Sequence, residues 1–284
     1  MSDKANAAMA EFWNGEGGSK WLSFEDRLEA SLQVFGDRAL ACADIKTGQR
    51  VLDIGCGCGP TTLELARRVG ENGWVEGLDI STTLISRAEN NARAAGLSNV
   101  KFERADAQTT DFGDARFDVV FSRFGVMFFD APAQAFGNLR AALKSDGRLV
   151  FAAWATRGQN PWVNEPLHCV ANHIDLPQPP PPNAPGPFSL GDPEHVKTIL
   201  NTAGYMDITI EVYHAPLVLG VDIPDAVHFL MNMSPSGAAI AAANPDATTL
   251  KRIEKDLTAL LEPHHGNGSV TMDASSLIVS ASPY

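Results

Sequence analysis

Val51-Leu52-Asp53-Ile54-Gly55-Cys56-Gly57-Cys58-Gly59-Pro60 reads as a short buried strand, then a glycine-rich turn, then the start of a helix with Leu63, Ala66 and Val69 on one face. Pro60 suits the first turn of that helix, where a missing N–H costs nothing. Outward from this unit, strands and helices alternate. Residues 74–79 form the next strand, and Ser81 caps a helix carrying Leu84, Ile85, Ala88, Ala92 and Ala95. Strands at 100–103 and 117–122 follow, then a helix with Ala135, Phe136, Leu139, Ala142 and Leu143. A turn at Ser145-Asp146-Gly147 leads into an apolar strand over 148–154. Strands separated by helices of this length pair in parallel through right-handed crossovers, so the expected class is α/β, a doubly wound, mostly parallel sheet covered on both faces. Ligands of such sheets sit beyond the carboxyl ends of the strands, where the strand order reverses.

The flanking segments read differently. The first 45 residues hold amphipathic helical pieces with Trp13, Trp21, Leu22, Leu28, Leu32 and Phe35 as their apolar side. Ten of the eighteen prolines fall between Pro161 and Pro193, including Pro179-Pro180-Pro181-Pro182, so neither a regular helix nor a central strand is expected there. Asp192 then caps a helix through Val196, Ile199 and Leu200, ending at Gly204, before a strand over 208–213. Helices near 225–233 and 247–261 precede a last strand near 277–279. The expected organisation is a helical segment over residues 1–45, a ligand-binding core over 46–160, a proline-rich connector or lid over 161–191, and completion of the sheet over 192–284 with cap helices at about 222–262.

Composition narrows the function. The chain has 284 residues and a net charge of −12, which opposes partners bound mainly through phosphate charge, such as duplex nucleic acid or an anionic membrane. The apolar runs at 149–155 and 238–243 are too short to span a bilayer, and Met1-Ser2-Asp3-Lys4-Ala5-Asn6 lacks the basic-then-apolar pattern of an export signal. Four irregularly spaced cysteines then read as reduced thiols of a cytoplasmic protein. Cys56 and Cys58 have no second half that would complete a zinc site, so no metal is expected, and they read as small residues filling the glycine loop.

The chemistry gathers at the strand ends. Three alternate glycines let the chain turn sharply and a ligand approach the backbone. The spacing is G-x-G-x-G, with Pro60 where a dinucleotide fingerprint has its last glycine, and Asp53 adds negative charge that suits a ligand ammonium better than a pyrophosphate. Twenty residues after Gly59, Asp79 ends the second strand and offers a carboxylate to two ribose hydroxyls. Ala105-Asp106-Ala107-Gln108 offers another for an adenine amino group.

Together, residues 51–59, Gly77-Leu78-Asp79-Ile80-Ser81, Ala105-Asp106-Ala107 and Phe117 through Phe124 resemble the successive motifs of class I S-adenosylmethionine-dependent methyltransferases, in the small-molecule branch that includes quinone and sterol methyltransferases. Residues 139–149 resemble the family's later helix-turn-strand, with Ser145-Asp146 in place of its usual Pro-Gly. The resemblance implies a Rossmann-like fold, S-adenosyl-L-methionine as cofactor, S-adenosyl-L-homocysteine as its product and a small-molecule acceptor. It implies that Gly55, Cys56 and Gly57 pass under the methionine moiety near Asp53, and that Asp79 with Ile80 holds the ribose. Asp106, Ala107 and Gln108 would bind adenine. Ser122, Arg123 and Phe124 would face the methionine part and the acceptor, and Trp21 would close over the cofactor.

His168 and His173 are candidate general bases in the segment after Trp162, with His228 a further one. Met127, Phe128, Phe129, Trp154, Trp162, Phe188, Phe229, Met231 and Met233 are candidates for an apolar acceptor site. Rival readings are a nicotinamide-dependent oxidoreductase, which the displaced glycine and Asp106 oppose, and a non-catalytic module of the same fold. Base methylation on nucleic acid is opposed by Ser122-Arg123-Phe124-Gly125, which replaces the Asn/Asp-Pro-Pro-Tyr type signature.

Overall fold

The computed structural model describes residues 6–181 and 183–283. The leader reading of residues 1–5, and Pro182 of the proline run, lie outside the described residues. One sheet organises the chain. Its strands are β1 (Arg50–Ile54), β2 (Trp74–Asp79), β3 (Val100–Arg104), β4 (Phe117–Arg123), β5 (Leu143–Trp154), β6 (Met206–Gly220), β7 (His265–Gly266) and β8 (Ser269–Ser282). The order is β3-β2-β1-β4-β5-β8-β6, with β7 paired to β8. β3 through β5 are parallel, and β8 and β6 join antiparallel. Sequence order reverses between β1 and β4, so α4 (Pro60–Val69) and α5 (Thr82–Ala95) cross over on one face and α6 (Pro132–Ala142) on the other. The parallel strands are apolar because both faces are covered: Leu52, Phe121 and Phe151 are wholly buried, each adding about 1.5–3 kcal/mol of transfer free energy.

Three helices precede β1, namely α1 (Ala7–Asn14), α2 (Glu16–Ser23) and α3 (Glu25–Ala43), and α3 buries Leu28, Leu32, Phe35 and Ala39. Ser81 caps α5 by accepting the Leu84 N–H, and Asp192 caps α8 (Pro193–Thr202) by accepting that of Glu194. The cap contains α9 (Ile223–Met233), α10 (Pro235–Ala243) and α11 (Ala247–Leu261).

Three expectations are corrected. Pro161 and Pro166 do not prevent a helix, α7 (Pro161–Ala171): Pro161 takes the first turn, and the helix absorbs the one donor missing at Pro166. Ser145-Asp146-Gly147 is not a turn between elements but a bulge inside β5, because pairing runs from Phe117↔Leu143 directly to Val119↔Arg148. Leu143, expected on the helix, is therefore the first residue of β5. The 208–213 strand extends to Gly220 through Pro216, which is tolerated because β6 is an edge strand.

Asn160 ties the carboxyl end of β5 to β8. Its Nδ2 donates to the carbonyls of Ala155, Thr156 and Ser275 at 3.3, 3.1 and 3.2 Å, while Oδ1 accepts from Ser275 N and Trp162 Nε1 at 2.9 and 3.0 Å. Asn160→Ala is expected to cost about 2–3 kcal/mol, since Ala155, Ser275 and Trp162, all buried, lose their bonds to it. Urea unfolding checks this, and an unmoved midpoint would contradict it.

Candidate active site at the carboxyl ends of β1, β2 and β4

The glycine loop is built by close backbone approach. Gly55 turns with φ 66°, and a Cβ there would stand 2.6 Å from Gly125 Cα, so the loop leaving β1 and the one leaving β4 touch through two glycines. Ser122 holds this junction rather than facing a ligand: it is wholly buried, its Oγ donates to Ile54 O at 2.8 Å and accepts the Gly125 N–H at 3.2 Å. The Gly55 and Cys56 N–H groups both donate to Leu78 O, at 2.8 and 3.0 Å. The Gly57 N–H points to Asp79 Oδ2 at 2.9 Å, and Ser81 N–H to Asp79 Oδ1 at 2.9 Å. These bonds fix the half-buried Asp79 carboxylate with one lone pair per oxygen unclaimed by them. Burial raises its pKa above the ordinary carboxylate value, against the pull of the Ser81 and Gly57 N–H groups.

After β3, Asp106 Oδ1 accepts the Gln108 N–H at 2.9 Å and the Asn6 Nδ2–H at 2.9 Å. Gln108 is buried with its Oε1 on the Ala131 N–H at 2.8 Å, so its side chain braces the loop from behind. Asp79, Ile80, Asp106, Ala107, Gly57 and Trp21 all line one cavity of about 220 Å³. That cavity continues past Gly55, Arg123 and Phe124 into an aromatic chamber. Phe124 takes a left-handed φ of 61° and stacks on Trp154 at 4.5 Å, and Trp154 packs on Trp162 at 5.2 Å. Phe188, Phe229 and Met233 complete the chamber, with Met127, Phe128 and Phe129 also on the cavity wall. Met231 of the expected apolar group is not on that wall.

On the other side of the glycine loop lies a second cavity of about 280 Å³, lined by Asp53, Cys56, Glu25, Glu29 and Arg123 among others. Arg123 faces both cavities and is clamped by Glu29 through two bonds of 2.9 and 2.6 Å. Asp53 is buried and accepts the Thr62 hydroxyl at 2.7 Å. Burial pushes its pKa up to about 7, although Thr62 and Arg123 pull the other way. A buried acid of this kind holds its proton in the fold at pH values where the unfolded chain has lost it. Asp53 therefore contributes stability to the ligand-free protein that falls as pH rises from about 4 to 7 and is lost above that. Asp53→Asn should remove this part of the slope in urea midpoints measured across that range, and an unchanged slope would contradict the assignment.

Neither candidate base reaches the cavities. α7 buries Trp162, Val163, Pro166 and Val170, which leaves His168 exposed on its other side. His173 Nε2 is paired to Asp256 Oδ2 of α11 at 2.8 Å. His228 is exposed and stacks on Phe24 at 5.3 Å. The expectation of a base from this segment is thus not met: helical spacing turns His168 away from the chamber, and His173, in the turn after α7, is held by Asp256. Sequence reasoning missed Asn6, Met9 and Glu29, whose roles depend on contacts far along the chain. Among the described residues no helix is long and apolar enough to cross a membrane, and no cluster of three His, Cys, Asp or Glu residues is disposed to hold a metal.

Known proteins share this architecture. Residues 45–204, more than half of the chain, match the family described as a methyltransferase domain. The chain is 35% identical over 118 residues to aklanonic acid methyltransferase DauC of Streptomyces sp. strain C5, covering 42% of this chain and 54% of that protein. It is 36% identical over 134 residues to the ubiquinone/menaquinone biosynthesis C-methyltransferase UbiE of Azotobacter vinelandii, covering 46% and 53%. The chain spans about half the length of the curated relatives it matches. In structure it is similar to the YcgJ protein of Bacillus subtilis, with a TM-score of 0.55 at 17% identity over 89% of this chain and 97% of that one. The [4+2]-cyclase SpnF gives a TM-score of 0.52 at 19% identity over 87% and 80%. The family match begins just before β1 and runs through α8, taking in every residue of the glycine loop and both rim carboxylates, and on that match the chain belongs to the methyltransferase-domain family.

Proposed function

We propose that the chain transfers the methyl group of S-adenosylmethionine to a small apolar or amphipathic acceptor, at oxygen, carbon or nitrogen. The observation that carries the reading is the continuity of the first cavity, which joins the Asp79 and Asp106 carboxylates to the Phe124–Trp154 stack past Gly55 and Arg123. The residues fit an adenosyl ligand. The two lone pairs left on Asp79 suit a ribose diol, and Ala105 and Ala107 flank Asp106 with apolar surface for a purine. A Cβ at Gly57 would stand 3.8 Å from Trp21 Nε1, so glycine keeps the space between loop and indole open. Asp53 and the Glu29–Arg123 pair line the adjoining cavity, where an ammonium would favour the ionised form of Asp53.

When bound, such a ligand supplies an electrophilic methyl group on a positively charged sulfur. The chain's own part is positional. Asp79 and Asp106 hold ribose and base, which keeps their charge off a sulfonium whose charge the reaction removes. The aromatic chamber excludes water and aligns the acceptor with the methyl group. The segment around Phe188 and the cap helices α9 and α10 form its outer wall. The relatives are named for aklanonic acid and for ubiquinone and menaquinone biosynthesis. A ring acceptor of that kind matches the Phe124, Trp154 and Trp162 faces. The net charge of −12 favours a free small molecule over nucleic acid, and the four free cysteines favour a reducing, cytoplasmic setting.

Incubation with methyl-labelled S-adenosylmethionine and a panel of hydroquinones, polyketide phenols and aromatic acids, followed by mass spectrometry, tests the reading. Label in one acceptor, with matching S-adenosylhomocysteine, is the expected result. No transfer to the panel or to a cell extract would contradict it.

A further inference from the structure

α1 roofs the end of the first cavity that contains Asp79 and Asp106. Asn6, Met9 and Trp13 follow helical spacing and all line that cavity. An asparagine fastens each end of the helix. At one end Asn14 Oδ1 accepts the Thr82 N–H at 2.9 Å and Nδ2 donates to Ile80 O at 3.0 Å, while Ser81 Oγ donates to Trp13 O at 2.8 Å. At the other, the buried Asn6 bridges two loops. Its Nδ2 donates to Asp106 Oδ1 at 2.9 Å, and its Oδ1 accepts the Asp130 N–H at 2.8 Å. Asp106 Oδ1 already accepts the Gln108 N–H, so two donors fill that oxygen.

The amide NH₂ of Asn6 is a planar donor like the exocyclic amine of a purine, and it sits among the apolar residues that flank Asp106. We propose that Asn6 is a built-in stand-in for the adenine amine: it holds the Asp106 acceptor in the ligand-free chain, and nucleoside binding exchanges that hydrogen bond and releases the amino-terminal end of α1. The proposal rests on the adenosyl reading of the cavity. Exchange of like donors keeps Asp106 satisfied throughout, which lowers the cost of opening a buried contact. Asn6 also adopts a left-handed φ of 53°, a conformation the residue does not have to keep once released. Asn6 is thereby a specificity residue. A ligand without an amine at that position gains nothing that compensates for displacing it.

Stopped-flow fluorescence of the five tryptophans, of which Trp13, Trp21, Trp154 and Trp162 line the cavity, follows S-adenosylhomocysteine binding to the full chain and to Asn6→Ala and Asn14→Ala. Asn6→Ala is expected to bind roughly two- to tenfold tighter, through faster association, because one net hydrogen bond no longer competes. Asn14→Ala loosens the roof but leaves Asn6 on Asp106, so it should give no such gain. Equal or weaker binding by Asn6→Ala would overturn the exchange, as would an equal gain in Asn14→Ala. Failure of wild type and both variants to bind would overturn the adenosyl reading and the exchange with it, whereas weaker Asn6→Ala binding beside a wild type that binds would overturn the exchange alone.

Discussion

Asp79→Ala is expected to weaken S-adenosylmethionine binding by at least about 100-fold while the chain stays folded. The carboxylate is oriented by the Gly57 and Ser81 N–H groups and faces the cavity. Two hydroxyl bonds to it, at about 1.5–3 kcal/mol each for charged acceptors, exceed the roughly 2.7 kcal/mol that a 100-fold loss requires. Of the two backbone donors it releases, that of Gly57 lies on the cavity, whereas Ser81 is buried, so a folding cost of about 1–3 kcal/mol accompanies the loss of affinity. Calorimetric titration checks the affinity and circular dichroism the fold. Unchanged affinity would remove Asp79 from the site.

Gly55→Ala is expected to destabilise the chain by about 2–4 kcal/mol and to spoil the site from within. A left-handed φ costs a non-glycine residue about 1–2 kcal/mol, and the new methyl group would meet Gly125 Cα at 2.6 Å, a backbone atom that no rotamer change can move. Gly57→Ala supplies the contrast. Its φ is 55°, but the nearest atom to an added Cβ is Trp21 Nε1 at 3.8 Å, so it should cost only about 1–2 kcal/mol of stability. Urea midpoints of the two variants check the difference. Equal midpoints would mean that the Gly55–Gly125 approach does not hold the loops together.

The core was readable because local and global signals agree there. Alternating apolar strands and helices, the Ser81 and Asp192 caps, and a glycine loop followed by Asp79 and Asp106 at successive strand ends are all patterns of short range. What escaped depends on contacts between distant residues. Asn6 meets Asp106 a hundred positions away, and Glu29 meets Arg123 across 94. Proline count misled at 161–193 because it ignores position: Pro161 starts a helix as readily as Pro179 opposes one. The bulge in β5 looked like a turn because Ser145-Asp146-Gly147 suits both. α10 is rich in alanine and apolar around its circumference, so it carried no helical stripe to detect.

Fold and reaction are separable here. The [4+2]-cyclase SpnF is similar in fold alone, and a fold does not by itself set a reaction. The claim about this chain therefore stands on its cavity. A crystal structure of the chain with S-adenosylhomocysteine tests it most directly. The account predicts ribose hydroxyls on Asp79, the adenine amine on Asp106 in place of Asn6, and sulfur turned toward Phe124 and Trp154. A ligand seated away from Asp79 and Asp106, or with its sulfur turned from the aromatic chamber, would contradict it.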